Sequence, residues 1–281
     1  MTSFKHIHTK TNHLTIWPDK KSIDLNDRVF ILSYMLRKVN GFILLLLMVF
    51  APQLHGAASN KYILQEGETI HYDVYALGIH VAHTTLSVKG KITIDGKKYY
   101  HVRFETISTP EIASAFYLLH DTHNAYLDPK TLLAVKYDKK LDEGEYKNHV
   151  YIKFYRDKKK FFAKDQIDFR KGKMVSYKHP AVDILSLIFY IRGLNVDVSD
   201  KQRLSLVIHD RPQFFEGQIT SQKKKGKYTI VHFEETDGGF TMDYTKDARR
   251  IPLRITMKGV RIFQHTIDVK AVLTKYSIVK E

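Results

Sequence analysis

One stretch of the chain has the hydrophobic pattern of a buried helix. Between Asp183 and Gly193 seven positions are apolar, and only Ser186 and Arg192 are polar. A short helix that is apolar on every side must be buried on most of them. Asp183 suits the N-cap, because its carboxylate can accept the unpaired N–H groups of the first turn, and Gly193 suits the left-handed position just past the end. We therefore predict a buried helix over about Asp183 to Arg192.

The remainder of the chain, from Glu68 onward, alternates between apolar and polar residues. Ile70, Tyr72 and Val74 share one side of the first such segment, and their polar neighbours occupy the other. A period of two is typical of a half-buried strand. About a dozen segments of this kind follow, with short turns between them. The pattern predicts a mainly β fold, either a single antiparallel curved sheet or an open β-barrel, around the one buried helix.

The N-terminal part has the pattern of an export signal. Arg37 and Lys38 precede an apolar run, Gly41 to Ala51, and small residues follow as far as Ala58. This is the order of a secretory signal peptide. The run of about eleven residues is shorter than the roughly twenty that cross a bilayer as a helix. We predict an exported, periplasmic protein, and the alternative is an uncleaved anchor at Gly41 to Ala51.

These observations divide the chain into three parts. Residues 1–34 are predicted to be an over-extended start or a disordered tail, because signal peptides begin close to their basic end. Residues 35–58 are predicted to be the signal peptide or anchor. Residues 59–281 show no repeats or linkers and are predicted to form a single β-rich domain. The first 58 residues carry seven Lys and Arg against three Asp and Glu, which leaves +11 of the net charge of +15 on the domain. A basic exported domain suits anionic lipid or acidic glycan, including peripheral contact with an envelope membrane, and no nucleic-acid partner is predicted.

Histidines raise the question of a metal site. His80 and His83 are three residues apart, so on a regular strand they face opposite sides and cannot share an ion unless a bulge intervenes. His120, Asp121 and His123 lie outside the regular pattern, and such a loop is more often polar surface than a zinc site. We therefore predict no metal site and no cofactor.

Catalytic motifs are missing from the sequence. It contains no cysteine and no Gly-x-Ser-x-Gly elbow, and no Gly-rich phosphate loop precedes a helix. Carboxylates that could act in pairs are present, but their separation is not visible in a sequence. The sequence does not exclude an enzyme, but no motif in it argues for one. The candidate polar site consists of His120, Asp121, His123, Asp128, Asp183 and Asp247.

Arginines near the end of the predicted helix have two interpretations. Arg192 closes the helix, where a positive charge meets the negative end of the helix dipole. The preferred interpretation is a buried ion pair with an acid such as Asp121, Asp183 or Asp247. The alternative is an anion clamp on a ligand, because a guanidinium binds carboxylate or phosphate in bidentate fashion. The candidate ligand-binding residues are Arg192, Arg249, Arg250 and Tyr190.

With these residues identified, the chain resembles a bacterial exported family, the domain-of-unknown-function family numbered 3108, over most of Gly67 to Lys258. The two most specific segments are Asp183-Ile184-Leu185-Ser186-Leu187-Ile188-Phe189-Tyr190-Ile191-Arg192 and Asp247-Ala248-Arg249-Arg250-Ile251-Pro252-Leu253-Arg254. Weaker matches are Gly67-Glu68-x-Ile70-x-Tyr72-x-Val74, Gly78-Ile79-x-Val81-Ala82, His120-Asp121, Ala125-Tyr126-Leu127-Asp128 and Glu143-Gly144. The resemblance implies an exported β-rich domain and no known activity.

From shape alone, a curved sheet around an apolar helix makes a concave and mostly apolar site. We expect a non-enzymatic protein that binds an amphipathic or anionic envelope ligand, a lipid or a glycan. Two alternatives remain, an envelope glycan hydrolase and a structural partner in envelope assembly.

Overall fold

The protein is built on one large sheet. A computed structural model describes residues 63–115, 118–197, 200–208, 210–262 and 265–279. The strands are β1 (Glu68–Ala76), β2 (Ile79–Ile94), β3 (Lys97–Ser108), β4 (His120–Leu127), β5 (Ala134–Glu143), β6 (Tyr146–Tyr155), β7 (Lys160–Lys164), β8 (Lys173–Ser176), β9 (Ala181–Val182), β10 (Gln202–Ile208), β11 (Arg211–Lys225), β12 (Tyr228–Glu235), β13 (Phe240–Thr245), β14 (Pro252–Ile262) and β15 (His265–Ile278). The helices are α1 (Pro110–Ala115) and α2 (Ile184–Gly193).

Strand order divides the sheet into two meanders. The order is β8-β7-β6-β5-β4-β3-β2-β1-β15-β14-β13-β12-β11-β10-β9, and β1 joins the halves by pairing with β15. Almost every described pair is antiparallel, as short turns between consecutive strands require. The exception is β9 with β10, which are parallel, with Ser205 opposite Ala181. Parallel neighbours need a crossover connection, and α2 supplies it.

Helix α2 lies against the inner face of the sheet. It contacts strands of both meanders, β3 and β4 in one and β9 and β10 in the other. Seven of its ten residues are buried, as the apolar pattern predicts. Asp183 caps its N-terminus and accepts hydrogen bonds from the backbone N–H groups of Leu185 (3.0 Å) and Ser186 (2.9 Å). The Ser186 hydroxyl in turn accepts from the Asp183 N–H, so a complete capping box begins the helix.

The C-terminus of α2 differs from the prediction. Gly193 is the last helical residue and is not among those with positive φ, so the predicted left-handed ending is wrong. Leu194, in an extended conformation, ends the helix instead, and its N–H bonds to Ile191. A side chain from elsewhere in the sequence satisfies the last carbonyl groups, and a local helix-ending signal is therefore not needed.

The two ends of the sheet approach each other without pairing. Arg156, just after β6, donates to the carbonyl oxygens of Ala134 in β5 and Ala181 in β9. Lys173 at the start of β8 forms an ion pair with Asp210, between β10 and β11. Side chains thus bridge strands that belong to opposite meanders. The barrel stays open, as one of the two predicted forms requires.

The prediction of a mainly β fold with a buried helix is confirmed. The predicted signal peptide or anchor at 35–58 and the N-terminal tail at 1–34 lie outside the described residues, and the single domain at 59–281 stays a prediction. Within the described ranges, no helix has the length and apolar character needed to span a membrane.

Truncation of the helix core measures how far the fold depends on it. Leu187 and Phe189 are fully buried, so changing either to Ala removes packed atoms and leaves a cavity. We expect Leu187→Ala or Phe189→Ala to lower the free energy of unfolding by about 2 to 5 kcal/mol. Urea denaturation measures the loss, with the exposed Ile92→Ala as the control. A loss below roughly 0.5 kcal/mol in both helix variants would contradict the packing described here.

Candidate functional site

A buried ion pair lies under the C-terminal end of α2. The Arg192 guanidinium donates to both carboxylate oxygens of Glu68, at 2.9 and 2.8 Å. It also donates to the backbone carbonyls of Arg250 (3.1 Å) and Arg249 (2.9 Å). Both side chains of the ion pair are buried, with exposed fractions of 0 and 1%. Burial of two charges requires this kind of bidentate geometry, because otherwise desolvation outweighs their attraction.

The turn that supplies these carbonyls is organised by Asp247. Its carboxylate accepts hydrogen bonds from the Thr245 hydroxyl (2.7 Å), the Arg249 guanidinium (3.0 Å) and the Arg250 backbone N–H (3.2 Å). Arg250 then donates to the carbonyl oxygens of Arg192 (2.7 Å) and Leu194. The two sequence segments most specific to the family resemblance therefore bind each other at the end of the helix.

The preferred interpretation of Arg192 as a buried ion pair agrees with this geometry, but its predicted partners are wrong. Asp183 caps the opposite end of the helix, Asp121 lies on β4, and Asp247 is occupied within its own turn. Glu68 is the partner because it begins β1 on the same face as the buried Ile70. An acid in phase with apolar positions was the signal available in the sequence.

The remaining candidate ligand-binding residues are placed around this ion pair. Arg249 is 41% exposed, and its guanidinium lies 5.4 Å from the centre of the Tyr276 ring. The Tyr190 hydroxyl donates to Gln202 at 3.0 Å. The guanidinium groups of Arg192 and Arg250 donate to internal acceptors. A ligand clamp formed by the four residues stays a prediction.

The segment from His120 to His123 is part of a strand, so its predicted position outside regular structure is wrong. Cross-strand partners in β3 and β5 hold it in β4. Successive strand residues face opposite sides, so Asp121 and His123 share the inner face with the buried Ala125. His120 lies on the outer face, where it bonds to Glu105 at 2.9 Å.

Four titratable side chains meet on the inner face of β4 and β5, and we call them the inner polar cluster: Asp121, His123, Lys139 and Glu143. His123 lies directly opposite Lys139. Glu143 shares the face of Lys139 through strand alternation. The His123 ring bonds to the Tyr137 hydroxyl at 2.7 Å. All four cluster members are half-buried, so they combine restricted solvation with access from outside.

Burial and charge shift the proton affinities within the cluster. Burial, followed by the negative charge of Glu143, raises the pKa of Asp121 to about 7. The positive charge of Lys139 and a hydrogen bond from the Asp142 N–H (3.1 Å) oppose that rise. Burial lowers the pKa of Lys139, and the negative charges of Asp121 and Glu143 oppose this shift. Near neutral pH the cluster therefore contains a carboxyl group that can donate or accept a proton, beside a lysine whose charged form is disfavoured by burial.

The cluster adjoins the N-terminal end of α2. Tyr137, buried between the two, has a pKa raised first by burial and then by the charges of Asp183 and Asp121. Of the predicted polar site, the structure thus brings together only Asp121 and His123, with Asp183 nearby. Asp128 closes the turn after β4 by accepting from the N–H groups of Lys130 and Thr131. Asp247 belongs to the turn at the other end of the helix.

Sequence reasoning missed Lys139 and Glu143 as partners of Asp121. In β5, Lys139 lies two positions from each of the apolar residues Tyr137 and Leu141. A period of two therefore puts its side chain on the same inner face. A lysine in phase with core positions is the pattern that could have been noticed.

Together, the fold and this site define an open, β-barrel-like protein whose sheet encloses one helix and carries charged groups on its inner face. The chain belongs to the family described as protein of unknown function (DUF3108), which matches residues 70–259. The family resemblance found in the sequence is thereby confirmed. No curated protein matches the chain.

Among solved structures, the chain is similar to a β-barrel-like protein of domain of unknown function DUF1849 from Brucella abortus. The identity is 11% and the TM-score is 0.48, and the match covers 77% of this chain and 99% of the other.

Removal of one partner from the buried ion pair should strand a charge. We expect Glu68→Gln or Arg192→Met to cost about 3 to 5 kcal/mol of unfolding free energy. The double variant should cost less than the sum of the two, because neither charge remains alone. Asp95→Asn, which breaks an exposed ion pair with Lys153, is the control and should change little. Additive losses would mean that the two side chains do not act as a pair.

The raised pKa of Asp121 predicts that the stability of the fold depends on pH. An acid whose pKa is raised by folding contributes stability that is complete below its unfolded pKa and is lost as pH rises through its folded value, here from about 4 to about 7. Asp121→Asn removes this loss. As pH rises between these values, we expect the free energy of unfolding of the variant to increase by about 1 to 2 kcal/mol relative to that of the wild type, after allowance for solvent screening. Thermal melts across that range measure it, and a difference independent of pH would contradict the shift.

Proposed function

We propose that the protein binds an amphipathic or anionic molecule of the bacterial envelope, with the ligand's polar group held at the inner polar cluster. One observation carries the proposal: Lys139, Asp121 and Glu143 lie half-buried on the inner face of a sheet whose other inner positions are mostly apolar. Ligand sites in proteins combine an apolar concavity with a few convergent polar groups in this way.

Each group has a role in this proposal. Lys139 donates charge-assisted hydrogen bonds to a carboxylate or phosphate of the ligand. The pKa of Asp121 is raised to about 7, so its carboxyl group can donate to such an anion when protonated and accept from a hydroxyl when ionised. Phe104, partly exposed and 5.8 Å from the His123 ring between ring centres, offers apolar contact to the remainder of the molecule.

The outer face supports contact with an anionic envelope surface. Lys136 lies 5.1 Å from the Tyr126 ring centre and 5.2 Å from that of Tyr151, and Lys153 lies 5.9 Å from that of Tyr155. Alternating tyrosines and lysines suit the boundary between water and lipid head groups, where one end of the side chain is apolar and the other is polar. An exported, periplasmic location remains part of the proposal.

Hydrolysis of an envelope glycan fits the cluster less well. The two carboxyl groups of a glycosidase stand about 5 to 9.5 Å apart, to leave room for the sugar bond or a water molecule. In the inner polar cluster the positively charged side chain of Lys139 also acts on Asp121, and the negative charge of Glu143 raises the pKa of that carboxyl group. This arrangement of charges favours binding over this type of catalysis.

Native mass spectrometry of protein purified from the envelope tests the proposal. We expect a co-purified lipid or glycan in the wild type. Lys139→Gln should weaken its binding by roughly tenfold to a hundredfold, since a hydrogen bond from a charged group contributes about 1.5 to 3 kcal/mol. Lys140→Gln is the matched control, because Lys140 adjoins Lys139 but lies exposed on the outer face.

A fluorescent fatty acid provides the second measurement with the same variants. Binding to the wild type and to Lys140→Gln, with loss in Lys139→Gln, is the expected pattern. If the wild type carries no molecule and takes up no fatty acid, the proposal fails, and a structural role in envelope assembly is favoured instead. Equal binding by both lysine variants would remove the inner polar cluster from the site.

A further inference from the structure

Two histidines that a regular strand would separate lie on the same face of the sheet. In the pairing of β1 with β2, Val74 is opposite Ala82 and Tyr75 is opposite His80, so Val81 has no partner. An extra residue of this kind is a β-bulge, and it reverses the alternation of side chains. His80 and His83 therefore both face outward, next to Asp73. The bulge therefore supplies the condition under which the two imidazoles can share an ion.

The three side chains are spaced as metal ligands are. The Asp73 carboxylate oxygen Oδ1 lies 2.8 Å from His83 Nδ1 and 3.5 Å from His80 Nε2. One ligand atom from each residue lies within 4.8 Å of the others. Around tetrahedral zinc, with bonds of about 2.0 to 2.1 Å, ligand atoms are roughly 3.3 Å apart. Small side-chain rotations would bring the three atoms to that spacing.

The bulge also connects β2 to the short helix α1 through backbone hydrogen bonds. The carbonyl of Val81 accepts from the Thr109 N–H at 3.0 Å, and the carbonyl of Thr109 accepts from Ala113 in α1 at 2.8 Å. Glu111 lies in the first turn of this helix.

We propose that Asp73, His80 and His83 bind a divalent transition-metal ion of the zinc type, with water in the remaining position. Two imidazoles and a carboxylate suit zinc and its neighbours, whereas calcium and magnesium prefer oxygen ligands alone. Within the described ranges this is the one group of three such residues with this spacing. His83 is 58% exposed, so the ion keeps an open position for water or for an atom of a partner.

The site lies on the outer face and is separate from the inner polar cluster. Asp73 is on β1 and both histidines are on β2, next to the turn at Leu77 and Gly78. A bound ion would crosslink the two strands of this hairpin. Metal binding therefore adds stability to this end of the sheet by mass action, whatever the inner face binds.

Calorimetric titration of the full, tag-free chain with zinc chloride tests the proposal. We expect the double variant His80→Ala, His83→Ala to bind one zinc equivalent fewer than the wild type. His80→Ala alone should weaken that site by about tenfold or more, as loss of supporting groups already does in other metal sites. His149→Ala is the matched control: His149 also pairs with an aspartate, Asp138, at 2.9 Å on a strand, but no second histidine accompanies it.

Cobalt absorption and thermal melting add independent measurements. Cobalt should give the visible spectrum of a tetrahedral site in the wild type and in His149→Ala, and lose it in the double variant. Zinc should raise the melting temperature of the wild type more than that of the double variant. Circular dichroism confirms that the double variant folds, since both side chains are on the surface. Unchanged zinc stoichiometry in the folded double variant, or equal competition by calcium, would overturn the proposal.

Discussion

The arrangement of helix and sheet depends on the buried contact between Glu68 and Arg192. Four hydrogen bonds leave the guanidinium at this position, two to the carboxylate and two to backbone carbonyls of a distant turn. With an apolar residue in place of Arg192, the helix could pack against the sheet in several rotations about its axis and at several depths. The ion pair favours one orientation of the helix, because a buried charge that loses its partner is costly. It thereby ties the last turn of the helix to β1, the strand at which the two meanders meet.

Local patterns were sufficient for the main elements and insufficient for their contacts. The cap at Asp183 and the apolar run behind it predicted α2, since both signals lie within a few residues of the helix. The acid that pairs with Arg192 lies 124 positions away. The phase of Glu68 with apolar positions marks it as buried, but nothing near either residue identifies the other as its partner. The bulge at Val81 is a similar case: it depends on how two strands align, and valine is an ordinary strand residue.

The inner polar cluster was hidden for a different reason. Strand periodicity assigns polar residues to the solvent side, so it does not single out Lys139 as part of a site, and His120 to His123 were predicted to lie outside regular structure. Proteins break the local rule mainly where a site needs it. Asp121 and Lys139 have opposing shifts in proton affinity because burial disfavours the charged form of each. That opposition marks the cluster as a feature distinct from the packed core around it.

The joint between β1 and β15 has a consequence for how the chain acquires its fold. Contacts inside each meander are mostly between neighbouring strands of a hairpin. These contacts can form as soon as both strands have been synthesised. The joint instead connects distant positions, as in the hydrogen bond from Thr274 to His71 across 203 residues. Such contacts close large loops and form slowly. Until β15 arrives, β1 is an unpaired edge, and such an edge is a template for pairing with another chain. A product truncated before β15 should therefore self-associate.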